Sequence, residues 1–150
     1  MTAQPTAGQI RSLERYRLNA HLVRKAFHHH WDTHVDPERQ GRGDPEDPEF
    51  FAWMSLWYST VQVVLEGCRD LDIEINLRPE LLDEWRRPLE LFRNKTFHPQ
   101  TEFPHPFLTD YIAREDSVAW VYALSAELGA AIEREARRLG LARGPSGFYL

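Results

Sequence analysis

Apolar residues recur every three or four positions along the first part of the chain, which is the spacing of one face of an α-helix. This pattern predicts a first helix over about 9–30. A second helix is predicted over about 49–71, where the Asp-Pro-Glu sequence at 47–49 supplies an N-cap, a proline for the first turn and an early acid. The intervening segment is rich in Asp, Pro, Gly and Arg, so we interpret residues 32–48 as a long exposed loop.

Two further helices are predicted in the second half of the chain. The first covers about 78–96 and contains Pro88, where we expect a kink or a short break because proline lacks a backbone donor. The last covers about 109–139 and ends at Gly140, a residue that suits a helix C-cap. Segment 70–77 alternates apolar and acidic residues, but it has no second strand to pair with and is interpreted as a connector.

The order of these elements predicts one all-α domain over residues 1–150, a four-helix up-and-down bundle with a long loop between its first two helices. Residues 1–8 are expected to form a flexible N-terminus. Residues 141–150 are expected to form a C-terminal tail whose aromatic end docks on the body of the molecule or on another subunit. A chain of 150 residues leaves little room for a second independent core.

Composition narrows the classes of function. The sequence has 18 basic and 23 acidic residues, a formal net charge of −5, so a strongly basic nucleic-acid clamp is disfavoured and any polyanion must bind at a local patch. Cys68 is the one cysteine, which excludes an intrachain disulfide and suits a reducing compartment. Because we find neither a secretory signal nor an apolar run of membrane-spanning length, we expect a cytoplasmic protein without a membrane partner.

The main candidate for chemistry is segment 91–99, at the end of the third predicted helix. It contains Arg93, Asn94 and His98, and the following Pro99 forces His98 out of the helical conformation. The imidazole can therefore fold back beside the last helical turn, toward the Arg93 guanidinium. A guanidinium holds phosphate oxygens in its fork and an imidazole exchanges protons near neutral pH, so this pair has the two functions that phosphodiester cleavage requires.

The motif resembles the R-x(4-6)-H signature of the HEPN superfamily. The resemblance depends on the four residues between Arg93 and His98, on Asn94 directly after the arginine, and on the position at the end of the third helix of a small all-α chain. It implies a metal-independent endoribonuclease that acts at a homodimer interface without a cofactor. Many such bacterial proteins are toxins of toxin–antitoxin or phage-defence systems, so the resemblance also implies an antitoxin protein as a partner.

The same resemblance implies a role for each residue of the motif. Arg93 would bind the scissile phosphate of the RNA substrate, and His98 would move protons as the 2′-hydroxyl attacks. Asn94 would orient the pair. A two-fold pairing of subunits supplies both an acid and a base. The cations beside the motif are expected to bind RNA, and they are Arg86, Arg87 and Lys95.

The histidine-rich segment 28–34 is a second candidate. Only His30 and His34 have the four-residue spacing that shares a helical face, and with His98 or His105 they would form a three-histidine metal site. That arrangement corresponds to a metal-dependent hydrolase. We prefer a solvated helix end that binds no metal.

Two ordinary interpretations stand beside the nuclease hypothesis. An arginine near a helix C-terminus often caps carbonyl groups and a histidine before proline is often a turn residue, which leaves a non-catalytic helical dimerisation or adaptor protein as the alternative. Large aromatic residues on the apolar stripes are expected in the core or at a dimer interface, namely Trp53, Trp57, Trp85 and Trp120. The basic residues of the first helix form either a solvated face or an RNA-guiding surface, and they are Arg11, Arg15, Arg17, Arg24 and Lys25.

Overall fold

The computed structural model describes residues 4–34, 47–97, 110–111, 114 and 117–150. Over these ranges the chain forms four long helices and no strand, which confirms the predicted all-α class. The helices are α1 (Ala7–His34), α2 (Pro48–Asp70), α3 (Pro79–Phe97) and α4 (Ser117–Arg138). Among them, none combines the length and the apolar character that crossing a bilayer requires.

Helix α2 is central, because the other three helices all pack against it. Its Trp57 ring lies 5.4 Å from Phe27 of α1 and 5.2 Å from Tyr122 of α4. Tyr58 lies 5.0 Å from Phe92 of α3. The aromatic core therefore surrounds α2. Of the four tryptophans expected in the core or at an interface, Trp53 alone is only partly buried.

The start of α2 has the N-cap that the sequence predicted. Asp47 Oδ1 accepts hydrogen bonds from the backbone amides of Glu49 at 3.0 Å and Phe50 at 3.2 Å, and Pro48 occupies the first turn. The other carboxylate oxygen of Asp47 lies 2.8 Å from His30 Nε2. One aspartate therefore joins the last part of α1 to the first turn of α2.

Helix α1 extends beyond the predicted range at both ends. At its start, Thr6 N donates to Gln9 Oε1 at 2.9 Å and Gln9 N donates to Thr6 Oγ1 at 3.3 Å, which is a capping box. Residues 7 and 8 are consequently helical, although they were predicted to be flexible. At its other end α1 continues to His34, so 32–34 belong to a helix, while 35–46 of the predicted loop lie outside the described residues.

Helix α3 passes through Pro88 without interruption, so the short break predicted there is wrong. Pro88 is buried along with Trp85, Leu89 and Phe92. Burial of these apolar side chains offsets the one backbone hydrogen bond that proline removes. The helix therefore reaches Phe97 and carries Arg93 close to its C-terminal end.

Helix α4 begins at Ser117, later than predicted, because a single straight helix from 109 does not fit the core. Tyr111 and Trp120 both pack on Trp85, with ring centroids 5.0 and 4.7 Å apart. On one helix, residues with that separation would point in opposite directions and lie about 14 Å apart along the axis. The chain therefore bends at Arg114, between the two aromatic residues.

The C-terminal tail docks on the body of the molecule, one of the two arrangements expected for it. Gly140 ends α4 with a φ of 68°, which confirms its predicted capping role. The Arg143 guanidinium lies 4.3 Å from the centre of the Tyr149 ring, and Tyr149 is buried. Arg143 Nη1 also contacts Glu14 of α1 at 3.0 Å. Residues 71–78 contain no strand, which confirms the predicted connector.

Candidate active site

Arg93 lies one turn before the end of α3 and faces α2. Its Nη1 atom is 3.3 Å from Glu66 Oε2, and Glu66 Oε1 accepts a hydrogen bond from Gln62 Nε2 at 3.0 Å. The Arg93 side chain is 38% exposed, whereas its Nε atom is buried and has no hydrogen-bond partner among the described residues. The guanidinium is thus held at the edge of the interface between α2 and α3, with part of its surface open to solvent.

A row of polar residues on α2 positions this end of α3. Ser59 Oγ contacts Thr96 Oγ1 at 3.0 Å and donates to the Ser55 carbonyl oxygen at 2.6 Å. Gln62 and Glu66 continue the row at helical spacing. Ser55 Oγ and Gln62 Oε1 are buried without a hydrogen-bond partner in the described part of the chain. These contacts fix the last turns of α3 on α2 and so determine where Arg93 lies.

Asn94 and the cations Arg86 and Arg87 are exposed on α3. Asn94 is exposed, and consecutive helical residues project about 100° apart, so its side chain diverges from that of Arg93. Arg86 is exposed and pairs with Glu90 at 3.0 Å, while Arg87 is exposed beside it. Arg86 precedes Arg93 by two helical turns on nearly the same face. Arg86 and Arg93 therefore lie along one side of α3, and each is paired with a glutamate.

His98 and His105 lie outside the described residues. The approach of the His98 imidazole to Arg93 therefore stays a prediction. The described residues show Arg93 near the C-terminal end of α3, in contact with Glu66.

Within the histidine-rich segment, His28 and His30 have structural roles, so the prediction of a solvated helix end is wrong for these two residues, whereas His29 is exposed. His30 is 4% exposed and contacts Asp47 at 2.8 Å and Glu49 at 3.7 Å. The His28 ring stacks on Tyr122 with centroids 5.3 Å apart. Burial and the nearby charge of Arg24 lower the pKa of His28. Among the residues that the structure describes, no three His, Cys, Asp or Glu side chains are arranged to hold a metal ion.

The pKa values of Asp47 and Cys68 are shifted in opposite directions. Burial alone would raise the pKa of Asp47, but hydrogen bonds from His30 and from the amides of Phe50 and Glu49 lower it overall. Burial raises the pKa of the Cys68 thiol to about 12. Cys68 is therefore protonated at neutral pH and unsuited to act as a nucleophile or metal ligand.

The sequence reasoning missed Glu66 as the partner of Arg93. A signal was present, because the polar residues interrupt the apolar stripe of α2 at intervals of four, three and four, and they are Ser55, Ser59, Gln62 and Glu66. Polar residues at helical spacing within an apolar helix indicate a buried polar contact with a neighbouring element.

Comparison with known proteins yields no family assignment: no family model, no curated protein and no solved structure matches the chain. The resemblance to the HEPN superfamily therefore depends on Arg93, Asn94 and His98 and on the four-helix architecture.

Proposed function

We propose that the protein is a HEPN-like, metal-independent endoribonuclease in which Arg93 binds the scissile phosphate and His98 transfers protons. The observation that carries the proposal is the setting of Arg93. Its guanidinium lies near a helix end, is oriented by Glu66 through a single contact of 3.3 Å, and keeps 38% of the side chain exposed. A guanidinium has five N–H donors, so one carboxylate contact leaves donors for phosphate oxygens.

The expected reaction is an internal transesterification of RNA. The 2′-oxygen attacks the adjacent phosphorus, the bond from phosphorus to the 5′-oxygen breaks, and a 2′,3′-cyclic phosphate forms. One imidazole accepts the 2′-hydroxyl proton and another protonates the departing 5′-oxygen. Because each chain has one His98, a homodimer that joins two motifs supplies both groups. A cytoplasmic toxin with a neutralising antitoxin protein is the biological setting that this proposal implies.

The test is RNA cleavage by the purified protein in EDTA, with Arg93→Ala and His98→Ala as the variants. Each substitution is expected to lower the cleavage rate by about a hundredfold or more, since each removes charge stabilisation or proton transfer. Arg137→Ala is the matched control, because Arg137 also lies near a helix C-terminus and pairs with one glutamate. An inactive wild-type protein, or equal rates in all four proteins, contradicts the proposal.

A non-catalytic helical adaptor is the second candidate, and the contacts of Arg93 favour it. The Gln62–Glu66–Arg93 series joins α2 to α3 within one chain, which a purely structural arginine would also do. If the protein is an adaptor, the wild type does not cleave RNA. Arg93→Ala then has a lower melting temperature than the wild type, because it loses the contact between α2 and α3. Thermal unfolding and cleavage assays on the same preparations therefore separate the two functions.

A further inference from the structure

A cleft of about 490 Å³ lies between α1 and α4, with residues of α2 at its base. None of the residues that line it belongs to α3, so it is distinct from the Arg93 region. Its lining is mainly apolar and includes Ala20, Trp57, Val61, Val64, Ala126 and Leu128. The volume of the cleft and the apolar character of its lining are both typical of clefts that bind small organic molecules.

The α1 side of the cleft carries basic side chains, Arg17, His21 and Arg24. Arg17 is paired with Glu14, which contacts its Nε at 2.6 Å and its Nη2 at 2.9 Å and is shared with Arg143. Arg24 differs, because it has no carboxylate partner among the described residues. Within the described part of the chain, Arg24 is therefore a positive charge at the edge of the cleft that no carboxylate contacts.

Two neighbours orient the Arg24 guanidinium. Arg24 Nη2 donates a hydrogen bond to His21 Nδ1 at 2.9 Å, and the guanidinium carbon lies 5.4 Å from the centre of the Tyr122 ring. Tyr122 is itself held by stacking on His28. A cation constrained in this way loses little side-chain entropy when it binds an anion.

The hydrogen bond from Arg24 also determines the state of His21. A guanidinium donates only, so Nδ1 of His21 is the acceptor, and the ring is neutral with its proton on Nε2. Burial and the charge of Arg24 lower the pKa of His21, in agreement with a neutral ring. The same edge of the cleft thus offers a guanidinium and an imidazole N–H as donors.

We propose that this cleft binds a small amphipathic carboxylate, whose charged group pairs with Arg24 and His21 and whose apolar body occupies the cleft. The Arg24 guanidinium beside a neutral imidazole matches a single negative charge, whereas a phosphate dianion would place a second negative charge next to apolar walls. The proposal does not depend on the nuclease function, because the cleft and the Arg93 region share no residue.

The test is calorimetric titration of the full chain with decanoate, 2-naphthoate and inorganic phosphate. At least one carboxylate is expected to bind with one-to-one stoichiometry while phosphate does not. Tighter binding of decanoate identifies a lipid-derived ligand, and tighter binding of 2-naphthoate identifies an aromatic acid. Arg24→Met is expected to weaken binding by about tenfold or more, since it removes a charge-assisted hydrogen bond.

Three further variants complete the test. Ala126→Leu narrows the cleft and is expected to abolish binding, whereas Ala130→Leu, outside the lining on the same helix, is expected to have no effect. Arg11→Met, an exposed arginine of α1 outside the cleft, serves as the charge control. Circular dichroism melting verifies that each variant is folded, and Arg24→Met alone decides the question if Ala126→Leu does not fold.

The proposal is overturned if neither carboxylate binds, or if the wild type and Arg24→Met bind the carboxylate with equal affinity. Loss of a dimer in Ala126→Leu without ligand, measured by light scattering, would assign the cleft to a second copy of the chain. Binding of an RNA oligonucleotide that requires Arg24, with both carboxylates inactive, would assign it to RNA instead.

Discussion

The arginines of this protein differ in how completely a carboxylate neutralises them. Arg17 makes two hydrogen bonds to a buried glutamate, whereas Arg93 contacts Glu66 through one pair of atoms at 3.3 Å. Arg24 has no acid beside it in the described part of the chain. Since an unpaired guanidinium is the best anion-binding group in a protein, this order indicates which arginines suit a ligand.

The residue-scale prediction concerns Glu66. Because its carboxylate competes with a phosphate for the Arg93 guanidinium, Glu66→Gln is expected to tighten RNA binding by about two- to fivefold. Fluorescence anisotropy with labelled RNA measures this in a His98→Ala background, which prevents cleavage. Glu133→Gln, which releases Arg137 on α4, is the matched control. Unchanged or weaker RNA binding in the Glu66 variant argues that Arg93 is only structural.

At the scale of elements, short-range contacts determine where the helices begin and end. The capping box of Thr6 and Gln9 starts α1, Asp47 starts α2, and Gly140 ends α4. Long-range packing overrides local preference at two places. Pro88 stays inside α3 because its face is buried, and the chain bends at Arg114 so that Tyr111 and Trp120 both contact Trp85.

The element-scale prediction concerns Asp47, which caps α2 and contacts His30. Asp47→Ala is expected to lower the free energy of unfolding by about 2 kcal/mol, roughly half from the cap and half from the histidine contact. Asp47→Asn is the control, because asparagine caps a helix as well as aspartate does and should cost less than alanine. Urea unfolding at pH 7 measures both differences, and an equal loss in the two variants contradicts the capping role.

The same residue predicts a pH dependence with a definite sign. The pKa of Asp47 is lower in the folded state than its ordinary value. Its charge therefore contributes stability that is fully present above the unfolded-state pKa of about 4 and is lost as the pH falls through the folded-state pKa. Urea unfolding from pH 7 to pH 3 should show the difference between wild type and Asp47→Asn shrinking at the acidic end.

At the scale of the whole molecule, α2 separates two regions with different chemistry. Its polar row faces α3 and positions Arg93, while its apolar face forms the base of the cleft between α1 and α4. The C-terminal tail docks on α1 in a third region, where Glu14 contacts both Arg17 of α1 and Arg143 of the tail. Burial would raise the pKa of Glu14, but the two arginines lower it overall.

The whole-molecule prediction concerns this docked tail. Arg143→Met removes the contacts to Glu14, to the Gly147 carbonyl and to Tyr149, so the tail is expected to lose protection from hydrogen exchange. The free energy of unfolding should fall by about 1 kcal/mol, because the arginine is partly exposed. Mass spectrometry of hydrogen exchange over 141–150 measures the effect. Arg137→Met, which changes an exposed arginine of α4, should leave that segment protected.

Much of the fold was predictable because its signals are local. Apolar periodicity indicated the four helices, and the Asp-Pro-Glu sequence and Gly140 indicated where α2 starts and α4 ends. The start of α1 was equally local, in the spacing of Thr6 and Gln9. The motif containing Arg93 was visible as well, but spacing alone says nothing about which acid binds the arginine.

By itself, the sequence determined the all-α class, the apolar faces and the helix caps, since each depends on residues within a few positions of one another. Only the tertiary structure decided that Glu66 holds Arg93, that Glu14 receives the C-terminal tail, and that Arg24 lies beside an apolar cleft. These arrangements join residues far apart in the chain, so they follow from the packing of one helix on another rather than from any local pattern.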